Sequence, residues 1–284
     1  MASVAKRKRT KVVNSPDEGQ NCQRVTVGST YFTKASGSDE KKDVTPAKLS
    51  KVTLGTTLTS DNVVQGGGDV VERLTADFYN QSTVNLAKAL LGQKLVHRLS
   101  SGKRVAGIIV ETEAYCGLVD KAAHSYNGKR TARTEAMFMK PGTAYVYSIY
   151  GLYCCMNISS QGEGCAVLLR AIEPVEGKDQ MRQLRTNSAK SPTKPLKEHQ
   201  LGNGPSKICM ALGIKKEEVN RLDLTVSKDV WLEKGDNSQP IVISKRINIS
   251  YGEDWVDKPL RFYLLDNKCV SVRDKEAENL LRKL

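Results

Sequence analysis

The chain has 284 residues, and its 44 Lys and Arg outnumber its 31 Asp and Glu, giving a formal net charge of +13. No window of about 18 apolar residues is present, which argues against a membrane-spanning helix and a membrane partner. A positive surplus of this size favours a polyanionic partner, because a basic surface attracts nucleic acid. The alternative is charge that only maintains solubility.

The cysteine pattern argues against a metal site. The seven cysteines form no C-x-x-C pair and have no spacing that would complete a zinc site with His97, His124 or His199. Charges occupy the N-terminal positions where a secretory signal needs apolar residues. We therefore expect reduced thiols in an intracellular compartment, with six of the cysteines and Met137, Met139 and Met156 filling the core, and neither a metal nor a cofactor.

Residues 1–70 differ in composition from the rest of the chain. They are rich in Ser, Thr, Lys, Asp and Gly, and Tyr31 and Phe32 are their only aromatic residues. Because such a segment cannot bury enough apolar area to offset its conformational entropy, we predict a disordered basic N-terminal tail. Within it, Lys6-Arg7-Lys8-Arg9 is typical of a nuclear import signal, which predicts a location in the nucleus, with a mitochondrial fraction as the alternative. The same basic arm is also suited to touching phosphates.

The body of the chain, residues 71–284, begins with a predicted helix and a predicted strand. Ser82–Leu91 has apolar residues at helical spacing, a Ser able to cap its start and Gly92 after its end. Lys103–Tyr115 is alternating and β-branched, which predicts a long strand.

Further elements follow along the chain. Strands are predicted at Thr143–Ser159 with an interruption at Gly151, and then at Ala166–Ile172, Ile241–Ile243, Leu260–Leu265 and Cys269–Val272. Lys178–Gln200 predicts a mobile basic loop, and Pro205–Leu212 a helix with Pro in its first turn. Too few helices separate the strands for a doubly wound sheet, so we predict an α+β fold, a single mixed domain on an antiparallel sheet.

The end of the first predicted strand carries a carboxylate and an aromatic ring. The strand period of two places Ile109, Glu111, Glu113 and Tyr115 on one face. Glu113 and Tyr115 would then point the same way, an arrangement that suits a planar ligand and a water molecule. The alternative is a solvated Glu113 with Tyr115 at a surface rim.

A hairpin signal lies in Tyr145–Tyr153. Tyr150-Gly151 stands between two β-forming runs, and Gly tolerates the positive φ of a tight turn, which places Tyr150 at the tip. An aromatic ring there, on a basic protein, suits insertion between base pairs; alternatively the ring folds back onto its own sheet. His124, in a loop before a basic run, would form a stacking slot with Tyr115 and Tyr147, or remain an ordinary surface histidine.

The segment Gly202–Lys207 opens the later helix. Free backbone N–H groups at a helix start attract phosphate, and Lys207 adds a full charge there. Alternatively this is an ordinary capped helix start. The segment does not match the phosphate-binding loop of the nucleoside triphosphatases.

Several short segments, in order, resemble the alkyladenine (3-methyladenine) DNA glycosylase family from about Leu74 to Val272. The matching segments are Val110–Tyr115, Ala122–Ser125, Met137–Thr143, Tyr145–Tyr147, Ile149–Gly151, Cys155–Ile158 and Gly204–Lys207. The resemblance implies a curved antiparallel β-sheet with flanking helices and a protruding β-hairpin. It also implies a monomeric DNA N-glycosylase of base excision repair, with double-stranded DNA containing damaged purines as its partner.

The implied reaction removes purines such as 3-methyladenine, 7-methylguanine, hypoxanthine and ethenoadenine. The damaged nucleotide is flipped out of the duplex, and its N-glycosidic bond is hydrolysed to leave an abasic site. Since the segments carry no lysine placed as an amine nucleophile, a water molecule is the expected nucleophile. The alternative is a catalytically silent DNA-damage-binding protein with the same wedge and slot; a weaker one is a basic scaffold that binds DNA by counterion release alone.

The resemblance assigns a role to each matching residue. Those at the reaction itself are Glu113, which activates the water, and Arg170, which helps to order that water and a nearby phosphate. Those that hold the flipped base are Tyr115, His124, Tyr147 and Asn157, the last of which obstructs the exocyclic amine of normal guanine. Those that contact DNA elsewhere are Tyr150, by intercalation, and Tyr153, Lys207 and Ile249, at the backbone. Glu111 is left as structural, and the tail is a candidate contact for repair proteins.

Two details depart from a simple match. Family members tend to have Gly where this chain has Asn248 and Ser250, and Asn can adopt the positive φ that such a turn needs. In addition, a strict two-residue hairpin loop would pair Tyr147 with Cys154 and Asn157 with Ala144, placing Tyr147 and Asn157 on opposite faces of the sheet. A bulge or a longer loop would bring them together.

Overall fold

The computed structural model describes residues 72–187 and 195–283. The predicted tail, its Lys6–Arg9 segment and residues 188–194 of the predicted mobile loop lie outside the described residues. The described strands are β1 (Lys94–Arg98), β2 (Arg104–Cys116), β3 (Ala144–Ile149), β4 (Tyr153–Ser159), β5 (Cys165–Glu176), β6 (Val230–Glu233), β7 (Ile241–Ser244) and β8 (Arg261–Leu264). The described helices are α1 (Ala76–Tyr79), α2 (Thr83–Ala89), α3 (Lys178–Asn187), α4 (Pro205–Leu212), α5 (Lys216–Val219) and α6 (Lys275–Leu281).

The strands form one curled antiparallel sheet in the order β3-β4-β5-β2-β1-β6, and β8 joins β2 to β7. Strand β2 is 13 residues long and organises the sheet. It pairs with β5 along one side, and with β1 and then β8 along the other. Register irregularities between Ile109 and Thr112 bend β2 against β5. The predicted α+β fold on an antiparallel sheet is therefore confirmed.

Helices cover one side of the sheet and bury its apolar residues. Leu86 and Leu90 of the α2 region and Ile208 and Leu212 of α4 have no exposed surface and belong to one core with the strands. The predicted helices at Ser82–Leu91 and Pro205–Leu212 are thus confirmed. None of the helices among the described residues is both long and apolar enough to cross a membrane.

The prediction of a mobile loop from Lys178 is wrong over its first part, because Lys178–Asn187 forms α3. Met181 on its inner face is completely buried, and the Arg185 guanidinium donates to the backbone carbonyls of Gln200 and Leu201. The buried Met181 and the half-buried Arg185 anchor the helix, while Lys178 and Arg182 pair with Glu198 and Asp179 at the surface.

The prediction of a strand at Cys269–Val272 is also wrong, since this segment forms turns. The Asn267 side chain accepts a hydrogen bond from the Cys269 N–H, and the Ser271 N–H donates to Glu111 Oε2 at 2.7 Å. The backbone donors are therefore used by side chains rather than by a neighbouring strand. The core role predicted for the methionines holds for Met137 and Met156, whereas Met139 is 39% exposed.

The core role predicted for the cysteines holds in part. Cys155, Cys209 and Cys269 are buried. Cys116, Cys154 and Cys165 are half-buried, and Cys22 lies outside the described residues.

The hairpin loop is one residue longer than the strict two-residue version considered above. Ile149 pairs with Tyr153, so Tyr150, Gly151 and Leu152 form the loop. In this register Tyr147 pairs with Cys155, and Asn157 pairs with Tyr145. The three-residue loop therefore places Tyr147 and Asn157 on the same face of the sheet.

Candidate active site

One register row across five strands assembles the centre of the site. Tyr145 of β3 pairs with Asn157 of β4, Asn157 with Leu168 of β5, Leu168 with Glu113 of β2, and Glu113 with Arg261 of β8. Residues directly opposite one another in an antiparallel sheet project from the same face. The pairing therefore brings together, on one face, side chains that lie far apart in the sequence.

Glu113 is completely buried, and each of its carboxylate oxygens has defined partners. The Ile247 N–H donates to Oε1 at 2.7 Å, and the Tyr115 hydroxyl donates to Oε2 at 3.0 Å. Arg170 Nη1 lies 3.3 Å from Oε2. Burial raises the pKa of Glu113, and the Arg170 charge and the two hydrogen bonds offset only part of that rise.

Arg170 lies between two carboxylates. Its Nε donates to Glu111 Oε1 at 3.1 Å, while its Nη1 faces Glu113. Glu111 also accepts from Arg261 at 3.1 Å and from the Ser271 N–H. Glu111 is thus fully occupied by structural partners. Its nearby negative charge also adds to the rise in the pKa of Glu113, because two neighbouring carboxylates repel each other.

A small slot of about 40 Å³ lies beside the carboxylate. Its lining consists of Tyr115, Ala122, His124, Met137, Tyr145, Tyr147, Asn157 and Tyr251. All four residues predicted to hold a base are therefore in the same lining. Tyr251, at 63% exposed, is the most exposed of these lining residues, and Tyr115, His124 and Tyr147 are half-buried.

The aromatic side of the slot is held by hydrogen bonds and ring contacts. The rings of His124 and Tyr147 lie 4.7 Å apart, edge to face, and His124 Nδ1 is 2.9 Å from the Tyr145 hydroxyl. Asn157 Nδ2 donates to the Tyr145 carbonyl at 3.1 Å. Burial, together with Arg133 and Lys129, lowers the pKa of His124 to about 4, so its imidazole is neutral at physiological pH.

The hairpin tip presents an exposed ring on a constrained backbone. Tyr150 is 90% exposed and has a φ of 52°, followed by Gly151 at 67°. The Leu152 N–H donates to the Ile149 carbonyl at 3.2 Å, which closes the turn. A positive φ is costly for a bulky residue. The exposure of the ring shows that it stands away from the sheet rather than folding back onto it.

Comparison with known proteins places the chain in a family. The sequence model of the methylpurine-DNA glycosylase family matches residues 77–268, which is more than half of the chain. The chain belongs to the methylpurine-DNA glycosylase family. It is accordingly an enzyme of the class that hydrolyses N-glycosyl bonds, and the predicted resemblance is confirmed.

Individual relatives agree with this assignment. The chain is 51% identical over 210 residues to a DNA-3-methyladenine glycosylase of Homo sapiens, covering 72% of this chain and 70% of that protein. It is 51% identical over 213 residues to the protein of the same name from Mus musculus, covering 73% and 64%. It is 48% identical over 206 residues to a putative 3-methyladenine DNA glycosylase of Clostridium perfringens, covering 70% and 98%. The chain thus spans about two thirds of the mammalian relatives and almost all of the bacterial one.

In this member of the family, the three residues predicted at the DNA backbone lie outside the slot. Tyr153, at the start of β4, is 41% exposed beside the hairpin tip. Lys207, in the first turn of α4, donates to Asn203 Oδ1 at 2.9 Å. Ile249 is buried as a whole residue, and its carbonyl accepts a hydrogen bond from the Gly252 N–H at 2.8 Å. The preceding Asn248 has a φ of 58°, in agreement with the positive φ expected there.

Sequence reasoning missed several residues of the site. Tyr145 shares the strand parity of Tyr147 and was therefore within reach of the same argument. Ala122 and Met137 lie in segments that carry the family resemblance, but the sequence gives them no separate signal. Tyr251 and the Ile247 N–H arrive from a distant loop, and nothing in the local pattern indicates them.

Two further features of the described residues bear on the chemistry. No group of three or more His, Cys, Asp or Glu among them is arranged to hold a metal ion. A wider groove of about 910 Å³ lies between the hairpin and the α4 region, and includes Leu152, Met210 and His97. His97 Nδ1 lies 2.6 Å from the Leu212 carbonyl, so that imidazole is engaged with the backbone, and the groove shares no residue with the slot.

Proposed function

We propose that this chain hydrolyses the N-glycosidic bond of damaged purines that are flipped out of duplex DNA into the slot. The observation that carries the proposal is the buried Glu113 carboxylate, hydrogen-bonded at 3.0 Å to the hydroxyl of Tyr115, whose ring lines that slot. A base stacked on Tyr115 would place its sugar close to this carboxylate.

The proposed chemistry uses Glu113 as a general base. Glu113 takes a proton from water while the water oxygen forms a bond to the anomeric carbon, and the bond from that carbon to the purine breaks with its electron pair leaving on the base. The negative carboxylate also stabilises the positive charge that develops on the sugar. A pKa raised by burial brings the base closer to its working pH. Arg170, 3.3 Å from the same carboxylate, supports a role in ordering the water.

The slot lining contains no lysine, which supports a water nucleophile rather than an amine. The product is then an abasic site in an intact strand. The proposed substrates are 3-methyladenine, 7-methylguanine, hypoxanthine and ethenoadenine, all flat purines suited to stacking on Tyr115, His124 and Tyr147. Asn157, at the sheet side of the slot, is proposed to obstruct the exocyclic amine of normal guanine.

Tyr150 is proposed to fill the gap that the flipped nucleotide leaves in the duplex. Damaged or mispaired bases cost less to unstack, and an inserted ring holds the resulting distortion. The exposed basic residues Lys129, Arg130 and Arg133, which follow His124 along the chain, support attraction of the phosphate backbone.

The decisive experiment replaces Glu113 by Gln and measures hypoxanthine release from a duplex oligonucleotide under single-turnover conditions. We expect release to fall by about 10²- to 10⁴-fold, the usual contribution of a general base, while binding to the lesion is retained. Glu233→Gln is the matched control, since Glu233 is equally buried but lies away from the slot. Undiminished release by Glu113→Gln would refute the assignment, and no release by the unmodified protein would favour the catalytically silent damage-binding protein.

The wedge has its own test. Tyr150→Ser is expected to weaken binding to lesion-containing duplex by about tenfold, or 1.4 kcal/mol. Val226→Ser, which removes another exposed apolar side chain at 69% exposure, serves as the control. Equal affinities for the two variants would remove Tyr150 from the mechanism.

We also propose that the enzyme acts as a monomer in the nucleus, with a mitochondrial fraction as the alternative, and that residues 1–70 carry the import signal and contacts with repair proteins. Fusion of this segment to a fluorescent reporter, with Lys6–Arg9 intact or replaced by alanine, tests the location. A reporter that is equally nuclear in both cases would refute the signal.

A further inference from the structure

A fully buried ion pair lies behind the slot. Arg246 and Asp120 form a two-point contact, with Nη1 at 2.6 Å from Oδ2 and Nη2 at 2.9 Å from Oδ1, and neither side chain is exposed to solvent. Neither residue belongs to the slot lining. Because desolvation offsets most of the attraction in a buried ion pair, stability alone is a weak reason for such a pair.

The Arg246 guanidinium touches the structures that hold Glu113. Its central carbon lies 4.6 Å from the centre of the Tyr115 ring, and its Nη1 also donates to the Ala114 carbonyl at 3.0 Å. Tyr115 is the residue whose hydroxyl donates to Glu113 Oε2. The guanidinium thus fixes both the ring and the strand backbone next to that donor.

The backbone of Arg246 leads directly to the second donor. The next residue is Ile247, whose N–H donates to Glu113 Oε1 at 2.7 Å. Asp120 in turn accepts from the N–H groups of Cys116 and Ala122, at 2.9 and 3.0 Å. A single ion pair therefore ties the end of β2, the loop that leads to His124 and the loop that carries Ile247.

We propose that Arg246, held by Asp120, is a positioning residue that sets both hydrogen bonds received by the Glu113 carboxylate. The inference rests on the proposed function of Glu113 as the base. Arg246 has no contact with the proposed reacting atoms, and acts through Tyr115 and Ile247.

The proposal has a direct consequence for the pH dependence of the reaction. The groups that face Glu113 are Arg170 on β5, Arg261 on β8, Glu111 and Tyr115 on β2, Cys155 on β4, and Arg246 and Tyr251 on the distal loop. Both hydrogen bonds lower the pKa of Glu113 against the larger effect of burial. Loosening them raises that pKa, so the carboxylate stays protonated to a higher pH and the acid limb of the rate profile moves upward.

The experiment compares Arg246→Lys and Arg246→Gln with the unmodified protein, by measuring single-turnover hypoxanthine release from duplex DNA as a function of pH. Lys retains the positive charge but not the planar two-point contact. The matched control is Arg104→Lys, because Arg104 likewise lies over an aromatic ring, 5.5 Å from Trp231, and pairs with buried Glu233 at 2.9 Å, away from the slot. Thermal unfolding of each variant is recorded in parallel.

We expect both Arg246 variants to shift the acid limb upward by about one pH unit and to lower the plateau rate by about tenfold. Arg104→Lys is expected to lower the unfolding temperature without moving the profile. The proposal is overturned if Arg246→Lys retains the normal profile while Arg246→Gln shifts it, since charge alone would then be responsible. An equal shift in Arg104→Lys overturns it as well.

Asp120→Asn carries the same expectation and covers the case in which the Arg246 variants do not fold. If none of the three variants folds, the pair is a folding element and the positioning role is refuted. Failure of the proposed function is distinct, because it would appear as absent release by the unmodified protein or undiminished release by Glu113→Gln.

Discussion

Glu113 and Glu233 are both buried on the same sheet, but their surroundings shift the pKa values of the two carboxyl groups in opposite directions. Glu113 shares Arg170 with the neighbouring carboxylate of Glu111, and its pKa is raised. Burial also acts to raise the pKa of Glu233, but an ion pair with Lys94 and a hydrogen bond from Trp231, each at 2.9 Å, outweigh it and hold that pKa below its ordinary value.

The difference separates a reactive carboxylate from a structural one. Glu233 pairs with two cations, Lys94 and Arg104, which it shares with the partly exposed Glu176, and it accepts one indole N–H. Glu113 receives part of one guanidinium and two hydrogen bonds. The raised pKa makes Glu113 the better proton acceptor of the two carboxylates, whereas the lowered pKa keeps Glu233 a fixed anion.

Removal of the Glu111 charge is the strongest disturbance of the group formed by Glu111, Glu113, Arg170 and Arg261. Glu111→Gln leaves buried Arg170 and Arg261 short of one negative charge, so we expect a loss of about 3–5 kcal/mol in the free energy of unfolding. The same change removes a like charge beside Glu113 and lowers the pKa of Glu113, so the acid limb of hypoxanthine release moves to lower pH. An acid limb that stays in place or moves to higher pH would contradict the conclusion that the Glu111 charge raises the pKa of Glu113.

The second test replaces Glu113 and Glu233, one at a time, by glutamine and measures the free energy of unfolding in urea. A lowered pKa gives stability that is present above the unfolded-state pKa of about 4.3 and lost as the pH falls below it. Glu233→Gln should therefore cost about 2–3 kcal/mol at pH 7, and less near pH 4. A raised pKa favours the protonated form, so Glu113→Gln should cost little at pH 7. Equal losses at pH 7 would abolish the distinction.

The aromatic donors allow a finer comparison. Trp231→Phe and Tyr115→Phe each remove one hydrogen bond to a buried carboxylate. We expect Trp231→Phe to lower the free energy of unfolding by about 1–2 kcal/mol without moving the rate profile. Tyr115→Phe should move the acid limb upward, because the lost bond lowered the pKa of Glu113. A shifted profile in the Trp231 variant would show that the two clusters are coupled.

The smallest expected effect concerns His124. Since its pKa is lowered to about 4, its imidazole resonances should stay constant in NMR spectra between about pH 5.5 and 8. The stability gained by burying the neutral ring is present above its ordinary pKa of about 6.5 and lost as the pH falls toward 4. Titration of His124 near its ordinary pKa would mean that the acid limb cannot be assigned to Glu113 alone.

The parts of the site that the sequence predicted depend on short-range periodicity. A period of two along β2 is sufficient to place Glu113 beside Tyr115, and the same period places Tyr145 beside Tyr147. Asn157 is different, because its face depends on the number of residues in the hairpin loop. Leu152 suits either a turn or a strand, so local pattern left that number open.

The parts that could not be predicted depend on contacts between distant residues. Arg246 meets Asp120, and Ile247 meets Glu113, across more than a hundred residues of chain. Cys269–Val272 has the composition of a strand, but the Ser271 N–H is taken by Glu111. Helix α3 lies within a strongly basic segment, and one buried Met181 with the Arg185 anchor holds it. The local sequence pattern does not indicate which distant residues will become partners.

The three-residue loop of the hairpin has a consequence for how this segment can vary. Surface loops usually tolerate insertions and deletions. Here the loss or gain of one residue between Ile149 and Tyr153 would transfer Asn157 to the opposite side of the sheet from Tyr145 and Tyr147. Changes of two residues would preserve the pocket and alter only the reach of the tip. We therefore expect the length of this exposed loop to change by two residues at a time wherever the pocket is kept.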